Sequence, residues 1–111
     1  MDRTTAINKV KEYADLVKSR YAVDKIILFG SYAKNNFSEY SDIDVAVIFN
    51  SYSGDFLDLS ADLYKLTRNI DYRIEPVLLD MENDKSGFIQ DILKNGFVIY
   101  DRKEHPINVR L

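Results

Sequence analysis

The chain has 111 residues, 46% of them hydrophobic and 30% charged, with no cysteine. That is the length of one domain with enough apolar content for a core, which excludes a disordered polypeptide, a disulfide scaffold and a thiolate metal site. Fifteen basic and eighteen acidic residues are intermixed and leave a net charge of −3, which argues against the basic face that nucleic-acid binding needs.

The first residues, Met1-Asp2-Arg3-Thr4-Thr5, are polar and lack the apolar core of a signal peptide. No apolar run approaches the roughly 18–20 residues of a membrane span. Together these features point to a cytoplasmic protein with no membrane partner. Residues 4–21 then predict an amphipathic helix, because Ile7, Val10, Ala14, Val17 and Tyr21 recur at steps of three or four; Thr4 or Thr5 would cap it. A short apolar strand follows over 25–29, then a short helix over 31–36 that the Asn35-Asn36 pair ends. A polar loop, Phe37 to Ser41, leads to a second strand over 43–49, and Asn50 to Gly54 reads as a turn.

From Asp55 to about Asn69 the spacing predicts a second amphipathic helix, with Leu59, Leu63, Leu66 and Ile70 on one face and Phe56 and Tyr64 nearby. A third strand spans 72–79. Pro76 cannot donate to a ladder, so this strand belongs at an edge or carries a bulge. After a polar loop with Asp80 as a turn or cap residue, a third long helix runs from Ser86 to Asn95, with Phe88, Ile89, Ile92 and Leu93 inward and Gly96 past its end. Phe97 to Tyr100 is extended. Residues 101–111 form a polar tail, expected to be loosely held. The order is α-β-α-β-α-β-α-β within a single domain spanning 1–111.

The chemistry concentrates in Gly30-Ser31, ten residues, then Asp42-Ile43-Asp44. The block starts as the first strand ends and closes as the second begins. Side chains at i and i+2 of a strand share a face, so Asp42 and Asp44 point the same way, about 6–7 Å apart at Cα. Two carboxylates held that close call for a positive occupant, and a hard divalent cation, Mg²⁺ or Mn²⁺, suits oxygen ligands and binds substrate phosphates as well. Gly30 permits close approach of a ligand, and Ser31 opens a short helix whose free N–H groups can meet a phosphate. For Ser31 to meet Asp42 and Asp44, the end of the first strand must lie beside the start of the second. The two strands are therefore antiparallel neighbours, and the sheet is mixed or antiparallel rather than all-parallel.

The pattern Gly-Ser-x10-Asp-x-Asp, with the local run Gly-Ser-Tyr-Ala-Lys and Ser-Asp-Ile-Asp-Val-Ala-Val, resembles the signature of the DNA polymerase beta-like nucleotidyltransferase superfamily. The length and element order resemble its minimal nucleotidyltransferase (MNT) family in particular. That resemblance implies an α/β (α+β) nucleotidyltransferase fold, a small mixed sheet flanked by helices, with ATP as substrate and Mg²⁺ at the carboxylates. It places a third carboxylate on the third strand, where Glu75 is the acid within the strand: a metal ligand or general base, or else an ion-pair partner of Arg73. Relatives often carry Asp there, and the longer Glu changes its reach. Lys34 offers a point charge to a triphosphate in a position where relatives often have Arg; it is equally an ordinary solvated lysine. Tyr32 and Tyr40 flank the site. The lone histidine, His105, offers no triad or histidine metal site.

The resemblance further implies an MNT antitoxin that neutralises a HEPN ribonuclease toxin by transferring AMP to a hydroxyl of that partner, with the acceptor supplied by the second protein. A non-catalytic antitoxin acting by contact, and a small-molecule nucleotidyltransferase of the aminoglycoside-modifying type, are the alternatives. Nucleic acid is not an expected acceptor.

Overall fold

The computed structural model describes residues 1–84 and 86–104. The expected tail from 105 onward, with His105 and Pro106, lies outside the described residues.

Helix α1 (Arg3–Arg20) is capped by Asp2, whose side chain accepts from the Thr5 amide at 2.7 Å. The expected cap at Thr4 or Thr5 is corrected by two or three residues. Asp2 is extended at φ −84° and ψ 171°, as an N-cap must be, while both threonines already lie in the first turn. Strand β1 (Lys25–Phe29) leads through Gly30 into the four-residue helix α2 (Ser31–Lys34). Strand β2 (Ile43–Phe49) is followed by α3 (Phe56–Leu66), which ends in a 3-10 turn over Thr67–Asn69. Strand β3 (Ile74–Asp80) runs into a second 3-10 turn, Met81–Asn83, then α4 (Phe88–Asn95) and β4 (Phe97–Asp101).

The four strands form one mixed sheet in the order β3-β2-β1-β4. β1 is antiparallel to both β2 and β4, and β2 is parallel to β3. The expected antiparallel β1–β2 pair is present, with Phe29 opposite Asp44. Pro76 sits in β3 at the sheet's edge, where its missing N–H costs no ladder bond.

Alternation divides the strands between two faces. Ile26 and Leu28 of β1, with Ile43, Val45 and Val47 of β2, pack in one cluster with Val10 and Val17 of α1 and Leu63 of α3. Each such fully buried aliphatic contributes about 1.5–3 kcal/mol. Tyr13 belongs to this core as well. Its hydroxyl donates to the Leu63 carbonyl at 2.8 Å and ties α1 to α3, a link absent from the expected apolar stripe.

On the opposite face Ile27, Ala46 and Ile48 meet Ile89 and Ile92 of α4. Only eight residues long, α4 packs on the middle of that face. Asp44 and Glu75, in the same alternation as Ala46 and Ile48, remain half-buried and exposed respectively. The helix begins at Phe88 rather than Ser86, because Gly87 takes a left-handed φ of 76°. Phe88 therefore stands at the rim of α4, 40% exposed, rather than inward as expected, with its ring edge-on to Phe29 at 6.0 Å.

Candidate active site

The site is built where β1 ends. Gly30 has φ 72° and ψ −148°, a conformation that side-chain-bearing residues rarely adopt, and it reverses the chain into α2. The Lys34 amide donates to the Gly30 carbonyl at 3.1 Å, and the Asn36 amide to the Ser31 carbonyl at 3.0 Å. Asn35 closes the turn at φ 61°, so the predicted stop at the asparagine pair is present. Two tethers hold this short helix. Tyr32 is fully buried and stacks on Phe37, ring centres 4.3 Å apart. Arg3 of α1 donates from Nε to the Tyr32 carbonyl at 2.9 Å, and its guanidinium lies 5.3 Å from the centre of the Phe97 ring. Among the flanking tyrosines, Tyr32 is thus a packing residue, and Tyr40 is 85% exposed.

The Gly30 turn meets the Asp44 carboxylate directly. A Cβ at residue 30 would collide with the Asp44 carboxylate. Asp44 heads β2 beside Phe29 on one side and pairs with Glu75 of β3 on the other. Asp42 is exposed two residues upstream. Partial burial raises the Asp44 pKa, and the negative charges of Asp42 and then Glu75 raise it further. Asp44 and Glu75 are cross-strand neighbours on β2 and β3, and Asp42 lies one residue before β2. Glu75 has no ion pair with Arg73. That arginine turns instead to Asp71, Nη2 to Oδ2 at 2.8 Å, and Asp71 also receives Lys9 at 2.9 Å.

The donor set suits a hard divalent cation. It consists of the half-buried Asp44 carboxylate, raised in pKa by burial and by two like charges, together with the exposed Asp42 and Glu75. Among the described residues no three acidic, His or Cys side chains form a ready-made cage. Mg²⁺ does not require one, since it is commonly held by one or two carboxylates with substrate phosphates and water completing the shell.

Tyr64 of α3 carried no motif signal, yet its hydroxyl lies 3.5 Å from Glu75 Oε2. Its pKa is raised, by burial first and then by Glu75, with Asp42 and Asp44 adding to the effect, so the phenol keeps its proton and can donate it to the cluster. An exposed aromatic on an amphipathic helix looks like any rim residue in sequence; only the packing of α3 on β3 brings it to the acids. Lys34, at the end of α2, is exposed and lines a cleft that also touches Gly30. Ser31, the first residue of α2, is half-buried.

The family described as polymerase beta, nucleotidyltransferase matches residues 8–105. A chain of Methanocaldococcus jannaschii, provisionally named a protein adenylyltransferase, is 33% identical over 94 residues, which is 82% of this chain and 94% of that one. Two solved structures share the fold. A toxin-antitoxin structure with AMP-PNP superposes with a TM-score of 0.65 at 24% identity, over 89% of this chain and 76% of that one. A chain of the Shewanella oneidensis complex of tri-AMPylated HEPN toxin with MNT antitoxin gives 0.58 at 22% identity, over 93% and 76%. With its sheet, its Gly30-Ser31 turn and its carboxylate pair in the places described, this chain belongs to the polymerase beta nucleotidyltransferase family.

Proposed function

We propose that the protein transfers AMP from ATP to a hydroxyl of a partner protein, and that the partner is a HEPN-type toxin for which this chain is the antitoxin. The observation that carries the reaction is the seating of Asp44 against Gly30, beside its cross-strand partner Glu75. The relative named for protein adenylyl transfer supports the acceptor class. The complex of an AMPylated HEPN toxin with its MNT antitoxin supports the partner.

Asp42 and Asp44 would hold Mg²⁺, with Glu75 as the third carboxylate of the set. The ion, when bound, neutralises charge on the α-phosphate and the departing pyrophosphate. Gly30 cedes its Cβ space to the Asp44 carboxylate, and the Ser31 hydroxyl donates to a phosphate oxygen. Lys34 adds a positive charge from the end of α2. The acceptor oxygen attacks the α-phosphorus in line, and the bond to pyrophosphate breaks. Glu75, exposed and open to an incoming partner, takes the hydroxyl proton. Tyr64 holds the Glu75 carboxylate in place through its phenol.

The experiment pairs the chain with the product of the neighbouring gene, in the presence of ATP and Mg²⁺. The wild type is expected to add AMP to that protein and silence its ribonuclease activity, and Asp42→Ala is expected to do neither. Full silencing by Asp42→Ala without any added AMP would replace the enzyme with an antitoxin that acts by contact.

A further inference from the structure

A cleft of about 260 Å³ opens beside the site, between Gly30 and Lys34 on one side and Phe88, Asp91 and Asn95 of α4 on the other. We infer that this cleft seats the nucleoside half of the donor, with the Asp91 carboxylate accepting from the ribose hydroxyls and the Phe88 ring lying against the base. This rests on the reading that the donor's phosphates meet Gly30 and Ser31.

Continuity is the first argument. Gly30 both cradles Asp44 and lines the cleft, so a nucleotide with its phosphates at the turn has this space within reach. Charge is the second. Lys34 and Asp91 are the charged residues of the lining, one of each sign. A nucleotide has the same asymmetry: anionic phosphates suit the lysine, and the carboxylate would repel them but accept from a neutral diol. A carboxylate is an acceptor only, and a ribose presents two O–H donors side by side; dinucleotide-binding folds use an acidic residue on the ribose in the same way.

The Asp91 carboxylate is pre-oriented for this task. Asn95 Nδ2 donates to its Oδ1 at 2.9 Å and to its backbone carbonyl at 3.2 Å, and among the described residues Asp91 forms no ion pair. The apolar wall is the third argument. Phe29 and Phe88 meet edge to face, and Phe88 keeps 40% of its surface exposed, an aromatic plane on which a base can lie. The volume falls just below the roughly 300–1,000 Å³ of pockets for drug-sized ligands, which suits a nucleoside rather than a whole triphosphate.

The test is calorimetric titration with AMP-PNP and with its 2′-deoxy counterpart, in Mg²⁺, for the wild type, Asp91→Ala, Phe88→Ala and Asp44→Ala. Both cleft substitutions lie on the exposed side of α4, and circular dichroism checks their folding. The wild type is expected to prefer the ribonucleotide about tenfold, the loss of a hydrogen bond to a charged group. Asp91→Ala should erase that preference by weakening the ribonucleotide alone, and Phe88→Ala should weaken both analogues alike. A wild type without ribose preference, or an Asp91→Ala chain that keeps it, overturns the inference while leaving the donor site standing. Failure of the wild type to bind either analogue overturns the donor site and the inference together.

Discussion

The carboxylate of Asp44 occupies the space that a side chain at residue 30 would need. The glycine is therefore required twice, once for its positive φ and once for the space it cedes to Asp44. Gly30→Ala is expected to cost about 1–3 kcal/mol of stability from backbone strain, and to push Asp44 out of line. Denaturant unfolding should show the loss. Nucleotide transfer should fall far more than the unfolded fraction explains.

Asp44 is strained in the electrostatic sense as well. It is partly desolvated and faces two like charges, which raises its pKa above the usual carboxylate value of 3.8. Its contribution is therefore neutral below that value, and stability falls as pH rises and the buried side chain ionises. Asp44→Asn should remove the penalty, which solvent screening at this half-exposed site limits to about 0.5 kcal/mol of stability in the metal-free protein at neutral pH, while abolishing transfer. Thermal unfolding with and without Mg²⁺ checks both halves: the wild type should gain stability with the ion, and Asp44→Asn should not.

Asp71 behaves oppositely. Buried between Lys9 and Arg73, it is held well below the usual carboxylate range, by the Arg73 hydrogen bonds first, against an opposing burial effect. A depressed native pKa gives stability that is present above about pH 4 and lost on acidification toward the folded value. Asp71→Asn weakens charge-assisted hydrogen bonds to two partly exposed cations and should cost about 1.5 kcal/mol at neutral pH. The deficit should shrink as the pH is lowered below 4, measured by urea unfolding across pH.

Tyr64→Phe removes only the hydroxyl that meets Glu75. Transfer should drop about tenfold, as when a partner that orients a metal-site ligand is lost, with nucleotide binding and unfolding unchanged. An equal loss of binding would place the phenol on the nucleotide rather than on Glu75.

Much of this architecture was legible because local signals agreed. Short apolar runs marked β1 and β2, the asparagine pair ended α2, and Pro76 marked β3 as an edge or bulged strand. The requirement that Ser31 meet Asp42 and Asp44 made β1 and β2 antiparallel neighbours, and they are. What was not legible depends on distant packing. Asp71 lies sixty-two residues from Lys9, and no spacing rule joins them. Arg73 turns to Asp71, two residues before it, and so leaves Glu75, an outcome that sequence could only pose as an alternative. Tyr64 and Asp91 each sit on a helix of ordinary amphipathic pattern and reach the site through how that helix crosses the sheet. Phe88 faced outward because Gly87 delayed α4 by two residues, a choice of φ that composition does not reveal.

The most direct test of nucleotidyl transfer uses ATP labelled in the α-phosphate, Mg²⁺, the chain and its candidate partner, with ATP labelled in the γ-phosphate as control. The account expects α-label on the partner, no γ-label, and loss of the signal in Asp44→Ala. Transfer of γ-label, or α-label that survives Asp44→Ala, would contradict it.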